Sequence, residues 1–215
     1  MFKVVRFLDA DPDDLRARWS HALKAKRTGL GRPRRVAVAK PLAGFPPSPF
    51  AAVDLQWFAD LIGALANEAW FTEAGPDLAD PDARRVVAEE VVLRGEAYLG
   101  SRWAAGGERY KMMSFGKRDP RLTLPEFANR WRTEAGRLGT EAIPDEVRGL
   151  AYVQNHPVVV DGHEWAFDAV NEVWFERLDH LRLRQAWFAD RPVAATAGFM
   201  SPTERWSMFV LESPL

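Results

Sequence analysis

Polar side chains that can exchange protons or hydrogen bonds alternate along one predicted strand, residues 150–156. Successive side chains of a strand point to opposite faces, so Tyr152, Gln154 and His156 share one face. Asn155 lies on the other face. Since the ordinary pKa of histidine lies close to neutral pH, His156 could act as a general base or acid, with Tyr152 as a donor beside it. The alternative is a hydrogen-bonded histidine at a strand end with no chemical role.

A second predicted strand, residues 167–175, carries an acidic residue among apolar ones. Glu172 shares its face with Trp174, and burial in such surroundings raises the pKa of a carboxyl group. We therefore expect Glu172 to be a proton acceptor. The alternative is an ion pair between Glu172 and an arginine, either Arg148 or Arg205.

The other acidic residue of this strand, Asp168, is four residues from Glu172, which places the two Cα atoms roughly 13 Å apart along an extended chain. That separation is too long for two carboxylates that share one reaction, as in glycoside hydrolysis. We predict that the catalytic residues are His156, Glu172 and Tyr152. Substrate binding is assigned to the polar and aromatic side chains around them, namely Asn155, Gln154, Asp168, Trp131 and Trp174.

The composition excludes several other kinds of site. The sequence has no cysteine, which excludes disulfides, thiolate nucleophiles and zinc sites built on cysteine. Its four histidines are dispersed and lack the spacing of a metal site. The sequence also contains no glycine-rich phosphate loop and no serine-nucleophile motif. We therefore expect neither a metal nor another cofactor.

The charge of the chain is nearly balanced, with a formal net charge of −1, so we expect neither nucleic acid nor an anionic membrane as a partner. Six cationic residues between positions 24 and 35 indicate a solvated helix end followed by a loop, and the alternative is a dock for an anionic ligand. No apolar stretch could span a bilayer, and the first residues lack a signal-peptide pattern. We expect a cytoplasmic protein, and the frequent Ala, Arg and Pro are typical of a GC-rich bacterial genome.

The chain contains an internal repeat. Residues 50–71 and 167–188 align without gaps, with nine of 22 positions identical, including two Trp-Phe dipeptides. A shorter match aligns residues 11–19 with 123–131. There an Asp or Thr, a nearby Pro and an acidic residue three positions on predict the start of a helix. Similarity at a fixed separation of this kind indicates two copies of one structural unit.

Each copy predicts the order strand, helix, strand, strand, helix, strand, which is the ferredoxin-like βαββαβ unit. Such a unit leaves one face of its sheet bare, and two copies in one chain can cover each other. The predicted fold class is therefore α+β, with two tandem units forming an intramolecular α/β barrel. A glycine-containing link at 95–109 suits a boundary between a diverged N-terminal domain, residues 1–105, and a C-terminal domain, residues 106–215.

The two copies differ in polarity. Four polar side chains of the second copy correspond to apolar ones in the first, while many of the aromatic rings are the same in both. The pairs are Gln154/Val38, Asn155/Ala39, Asp168/Ala51 and Glu172/Leu55. This asymmetry predicts a single functional site that belongs to the second copy, with the first copy as a wall or lid.

Three stretches of the second copy, residues 117–131, 152–156 and 167–175, resemble an EthD-type domain of the dimeric α/β barrel superfamily. The last two contain the strings Tyr-x-Gln-Asn-His and Asp-x-x-x-Glu-x-Trp-Phe. The resemblance covers nearly all of residues 110–215 and implies the barrel fold. Domains of this type usually carry a histidine four residues after the helix tryptophan, where this chain has Ala135.

The resemblance implies relatives that include polyketide and anthraquinone tailoring enzymes, decarboxylases, dehydratases, cofactor-free monooxygenases and accessory proteins. We expect a cofactor-independent enzyme that acts on an aromatic or polyketide-like molecule by proton transfer, in a cyclisation, dehydration or decarboxylation. One alternative is a cofactor-free monooxygenase. Others are a non-catalytic binding or accessory protein, which the replacement by Ala135 favours, and a structural remnant whose cavity is filled. The repeat predicts a pseudo-dimeric monomer that could dimerise further.

Overall fold

The computed structural model describes residues 1–24, 29–74, 78–134, 143–189 and 198–215. Residues 25–28 of the cationic run, and Ala135, lie outside the described residues. The described ranges contain eight strands and seven helices. They are β1 Phe2–Leu8, α1 Pro12–Lys24, β2 Arg35–Pro41, β3 Ala52–Phe58, α2 Leu61–Leu65, α3 Asn67–Ala74, β4 Arg84–Arg94, α4 Glu96–Ala105, β5 Arg109–Arg118, α5 Leu124–Glu134, α6 Asp145–Arg148, β6 Ala151–Pro157, β7 Ala169–Phe175, α7 Leu178–Ala189 and β8 Met200–Pro214.

The eight strands form one closed antiparallel barrel in the order β1-β3-β2-β8-β5-β7-β6-β4. The strands of the N-terminal half pair with one another in the order β4-β1-β3-β2. Those of the C-terminal half pair in the order β6-β7-β5-β8. Two further pairings, β2 with β8 and β4 with β6, join the halves and close the barrel. The prediction of a mixed α and β protein built around a barrel is confirmed.

Two helices begin at the capping residues that the sequence predicts. The Asp11 carboxylate accepts hydrogen bonds from the backbone N–H groups of Asp13 and Asp14 at 3.0 and 2.9 Å, at the start of α1. Before α5, the backbone N–H of Thr123 donates to Glu126 Oε2 at 2.8 Å, and that of Glu126 donates to Thr123 Oγ1 at 3.4 Å. These bonds satisfy N–H groups that have no partner within the helix.

The second helix of the N-terminal half is divided into two helices. The sequence predicts one continuous helix over residues 60–71 as the second helix of the repeat unit, but α2 ends at Leu65 and α3 begins at Asn67. The buried Asn67 side chain donates to the carbonyl oxygen of Gly31 at 3.0 Å. The break therefore coincides with a contact that holds the preceding loop against the helix pair.

Apolar side chains cover both faces of the barrel wall. One core lies inside the barrel and takes residues from strands of both halves. A second lies between the outer face and helices α1 and α3, around Trp19 and Trp70. A third lies under α5, around Phe127 and Trp131. Both faces of the barrel wall are covered, so a strand in it is buried on both sides. This explains why every residue of β3 is buried.

The predicted link between the halves contains a helix, α4, that packs across one end of the barrel. Its Leu99 packs with Val153 and Trp174, which belong to β6 and β7. Trp103 lies against Trp57 of β3, with ring centroids 4.8 Å apart. Helix α4 therefore contacts strands of both halves and covers the barrel end that they share.

Candidate functional site

The predicted site residues are divided between the two faces of the barrel wall. Val153 of β6 pairs with Glu172 of β7, so both side chains share one face, which points into the barrel. Asn155 is two residues from Val153 along β6 and points to the same face. His156, the next residue, points outwards. The predicted alternation is confirmed. His156 and Glu172 nevertheless lie on opposite sides of the wall, so they cannot act on one bound molecule there.

On the outer face, the polar side chains of β6 form one continuous chain of hydrogen bonds. His156 Nε2 lies 2.9 Å from Gln154 Oε1. Gln154 Nε2 donates to the hydroxyl oxygen of Tyr152 at 3.2 Å and to the carbonyl oxygen of Trp131 at 3.3 Å. The Tyr152 hydroxyl in turn donates to Asn171 Oδ1 at 3.1 Å. The chain thus runs from the end of β6 to the middle of β7, beneath helix α5.

This chain sets the position of the proton on His156. The carbonyl oxygen of Trp131 can only accept, so the amide nitrogen of Gln154 must face it and the amide oxygen must face the histidine. His156 Nε2 therefore carries the proton and donates to Gln154. The other ring nitrogen, Nδ1, is an acceptor with a free lone pair. It is buried and has no hydrogen-bond partner among the described residues.

His156 lies in surroundings that favour the neutral ring. The residue is 5 % exposed, and its ring centroid lies 4.4 Å from that of Trp131. Burial and, to a smaller extent, the positive charge of Arg132 lower the pKa of His156 from 6.5 to about 4. The sequence led us to expect a group that gains and loses a proton near neutral pH. His156 is instead a neutral acceptor over that range.

The two other predicted binding residues, Trp131 and Asp168, are engaged in structural contacts. Trp131 is buried in α5, where it packs with Phe127 and Phe199. Asp168 precedes β7 and accepts hydrogen bonds from the backbone N–H and the guanidinium of Arg118, both at 2.9 Å. Asp168 is therefore engaged in holding the end of β5.

Glu172 lies inside the barrel in an ion pair with two lysines. Its two carboxylate oxygens lie 2.6 Å from Lys3 Nζ and 2.6 Å from Lys111 Nζ, and Asn155 Nδ2 donates to it at 2.7 Å. All four residues are fully buried. Burial alone would raise the pKa of this carboxyl, but the charges of the two lysines outweigh it and lower the pKa to about 2.

Two expectations for Glu172 are therefore wrong. The pKa is lowered where we expected burial to raise it, and a permanently ionised carboxylate is a weak base. The alternative pairing with Arg148 or Arg205 is also incorrect, since the partners are Lys3 and Lys111. The side chain that we assigned to proton transfer joins strands β1, β5 and β7.

The ion pairs continue across the end of the barrel. Lys111 also pairs with Glu212 of β8, and Glu212 pairs with Arg102 of α4. Lys3 also pairs with Glu90 of β4 at 3.0 Å. The network therefore connects both halves and the helix that covers this end.

Two tryptophans line the same network. The Lys3 ammonium lies 4.7 Å from the ring centroid of Trp57, and the Lys111 ammonium lies 5.2 Å from that of Trp174. Trp174 Nε1 is buried without a hydrogen-bond partner in the described part of the chain. Trp174, which we predicted to bind substrate, thus lies in the barrel interior beside buried cations.

Sequence reasoning missed the lysines of this network. Lys3 and Lys111 lie near the start of the strands Phe2–Leu8 and Arg109–Arg118, and the next two residues on the same strand face are apolar in both cases. A charged residue on such a face needs a buried partner, and that signal was present in both strands. Their partners are distant in sequence and could not be assigned from spacing.

The N-terminal half has a buried polar cluster of its own, which the comparison of the two copies did not predict. Asp54 accepts hydrogen bonds from Arg6 Nη1 at 3.2 Å, Trp19 Nε1 at 3.0 Å and Gln56 Nε2 at 2.8 Å. These side chains lie on the outer face beneath α1. The first half has therefore not lost its buried polar groups, and its polar cluster is closed around an ion pair.

A cleft opens at the end of the barrel away from α4. It has a volume of about 560 Å³. Phe7 lines it, four residues along β1 from Lys3. The lining combines aromatic rings with charged side chains, and consists of Phe7, Asp9, Ala10, Pro49, Phe50, Asp80, Asp82, Arg84 and Trp206. We call it the mouth cleft. Eight of these nine residues precede the predicted C-terminal copy.

The described ranges lack two other kinds of feature. No cluster of three or more His, Asp or Glu side chains could hold a metal ion there. In the same part of the chain, no helix is long and apolar enough to cross a membrane.

Comparison with known proteins finds similarity in structure only. No protein-family model matches the chain, and no curated protein matches its sequence. A solved structure described as an anthrone oxidase-like protein superposes with a TM-score of 0.59 at 12 % identity, covering 99 % of this chain and 92 % of the other. A putative monooxygenase from Lactobacillus acidophilus gives a TM-score of 0.50 at 8 % identity, over 98 % and 92 % of the two chains.

These matches establish the fold. The chain is a mixed α/β protein whose closed eight-stranded barrel is shared, over nearly its whole length, with structures of the dimeric α/β barrel fold. At such low identity the shared fold does not transfer an activity.

Proposed function

We propose that this protein is a small-molecule enzyme that acts on an aromatic substrate on the outer face of β6, with His156 as the proton acceptor. The site is the row of hydrogen-bonded side chains His156, Gln154, Tyr152 and Asn171, called here the outer-face chain. The observation that carries the proposal is the acceptor nitrogen of His156. The bonds of Gln154 to the carbonyl oxygen of Trp131 and to His156 fix the proton on Nε2, and Nδ1 is left buried beside the ring of Trp131 with its lone pair free. A neutral, oriented imidazole is the form that a general base requires.

The low pKa of His156 restricts the substrate. A base whose conjugate acid has a pKa of about 4 removes a proton efficiently only when the resulting anion is strongly stabilised. A carbon between two aromatic rings and conjugated to a ketone meets this requirement, because the charge spreads over the whole ring system. The flat ring system would also suit the face of Trp131.

Among the reactions open to such an anion, we favour oxidation by O₂. Proton transfer to Nδ1 gives the enolate, which reduces O₂ without a cofactor. The CH₂ carbon becomes a carbonyl carbon that keeps one oxygen atom, and the other leaves as water. Two similar structures, described as an anthrone oxidase-like protein and a putative monooxygenase, support this choice over cyclisation, dehydration or decarboxylation.

A tandem duplication also remains part of the proposal, with residues 1–105 and 106–215 as the two copies and with EthD-type domains as the relatives of the second. The strand registers support it. Lys3 pairs with Trp57 and with Ala88, and Lys111 pairs in the same way with Trp174 and with Val210.

Burial of the site favours a second candidate, a binding or accessory protein without activity. Trp131 and His156 are 1 % and 5 % exposed, so a substrate reaches Nδ1 only if helix α5 moves away from β6. In a protein that only binds an aromatic molecule, the free Nδ1 of His156 would have no catalytic role.

The two candidates differ in turnover. With an anthrone as substrate and an oxygen electrode as the readout, the enzyme proposal predicts O₂ consumption at one mole per mole of substrate. His156→Gln should reduce the rate at least 100-fold, whereas His163→Gln, which changes an exposed hairpin histidine, should leave it unchanged. Binding without O₂ consumption or product would establish the second candidate. Equal rates in wild type and His156→Gln would exclude His156 as the base.

A further inference from the structure

The floor of the mouth cleft consists of aromatic rings that pack against further aromatic rings beneath them. Phe7 is buried, and its ring centroid lies 5.2 Å from that of Phe50. Trp206 stacks on Phe115 at 6.0 Å and meets Phe167 edge-on at 5.7 Å. Phe50 and Trp206 are only half-buried, so they present ring surface to the cleft. Such a rigid apolar floor suits a flat ligand.

The rim of the cleft carries an excess of negative charge. Three aspartates line it, Asp9, Asp80 and Asp82, against one cation, Arg84. The side chain of Asp80 accepts a hydrogen bond from the backbone N–H of Asp82 at 3.0 Å, which fixes the turn that carries both. In a cleft with apolar walls, carboxylates attract a positively charged ligand more strongly than they would on an open surface.

A contact within the cleft indicates that its aromatic floor can lie against a positive charge. The guanidinium carbon of Arg84 lies 5.6 Å from the ring centroid of Phe50. This is the separation at which a positive charge is attracted to the face of an aromatic ring. Trp206, the largest ring in the lining, offers the strongest such face to a ligand.

We infer that the mouth cleft is a separate binding site for an aromatic molecule that carries a positively charged amino group. Its rings would lie on Phe50 and Trp206 and its charge beside Asp80 and Asp82. The volume of about 560 Å³ lies within the range of sites for small molecules. The site lies at the opposite end of the barrel from α4 and needs no residue of the outer-face chain, so it goes beyond the proposed function and does not depend on it.

Three probes with the same ring system test this inference. Isothermal titration calorimetry of the full chain is carried out with 2-naphthylmethylammonium, 2-naphthylmethanol and 2-naphthoate. The ammonium should bind at least tenfold more tightly than the alcohol, and the carboxylate should bind most weakly. The preference for the ammonium should shrink as salt is raised, because the carboxylates lie at a solvated rim.

Variants separate the floor from the rim. Trp206→Leu should weaken both the ammonium and the alcohol at least fivefold, while Trp206→Phe should retain most of the binding. The double change Asp80→Asn with Asp82→Asn should weaken the ammonium and leave the alcohol unchanged. Glu164→Gln removes an exposed negative charge elsewhere and serves as the control. Thermal unfolding of each variant shows that the barrel is intact.

Three results would overturn the inference. They are equal affinity for the ammonium and the alcohol, binding that is unchanged in Trp206→Leu, and saturable binding of Mg²⁺ to the aspartates without any binding of the ammonium.

Discussion

Lys3 and Lys111 hold Glu172 between them, each with its ammonium nitrogen 2.6 Å from one carboxylate oxygen, in the interior of the barrel. The two lysines occupy corresponding registers in β1 and β5, opposite Trp57 and Trp174. Glu172 therefore bridges the N-terminal and C-terminal halves at a point that solvent does not reach.

Replacing Glu172 should destabilise the fold. Glu172→Gln leaves two buried ammonium groups with one fewer anion, and removing one partner of a buried ion pair costs about 3–5 kcal/mol. The measurement is the free energy of unfolding in urea, with Glu164→Gln as an exposed control expected to change it by less than about 0.5 kcal/mol. A Glu172→Gln variant as stable as the control would show that the network contributes nothing.

Stability should fall in two steps as the pH is lowered. His156 has a pKa of about 4 in the folded chain against 6.5 when unfolded, so the unfolded state binds more protons between these values and stability declines from pH 6.5 towards 4. Glu172 has a folded pKa of about 2 against 4.5, so its contribution is present above pH 4.5 and is lost as the pH falls towards 2.

Variants assign the two steps. Denaturation measured from pH 7 to pH 2.5 should show the upper step reduced in His156→Gln and the lower step reduced in Glu172→Leu. Unchanged curves would contradict the assignment.

The residue beside His156 should control its protonation. Gln154→Glu places a carboxylate against Nε2, and a nearby negative charge favours the protonated imidazole. The pKa of His156 should therefore rise well above its wild-type value, and turnover at neutral pH should fall because Nδ1 becomes protonated. NMR titration of the ring is the measurement. A pKa that stays near 4 in this variant would mean that the two side chains are not in contact.

The start of α4 requires glycine. Gly95 has a φ of 80°, and a Cβ there would lie 2.3 Å from the carbonyl oxygen of Leu150. Gly95→Ala should destabilise the fold by more than about 1 kcal/mol, because it adds a clash to a strained backbone. Gly100 lies in the same helix, and apart from the backbone of that helix and its two chain neighbours no atom of the described residues lies within 4 Å of its Cβ position. Gly100→Ala should instead stabilise the fold by about 0.5–1 kcal/mol in urea denaturation.

Local patterns in the sequence predicted much of the fold. The alternation along β6 and β7 assigned each side chain to its correct face, and the caps at Asp11 and Thr123 marked two helix starts. These features depend on residues that are close in sequence. The closed barrel followed from the repeat, since two sheets with bare faces cover each other.

The parts that were missed depend on distant residues. The lysine partners of Glu172 come from β1 and β5, and no local pattern connects them with β7. The pKa of Glu172 could not be predicted without them, because burial and the two charges act in opposite directions. Gly100, Gly106 and Gly107 favour a link over residues 95–109, whereas Leu99 and Trp103 give helix α4 within that segment an apolar face.

The proposed site depends on one chemical state, the neutral His156 ring with its proton on Nε2. Nitrogen-15 NMR of the side chain, titrated from pH 8 to pH 3.5 and assigned with His156→Gln, reports both the tautomer and the pKa. We expect the Nε2–H tautomer and a ring that stays neutral until the pH approaches 4. A proton on Nδ1, or a pKa near 6.5, would contradict this expectation.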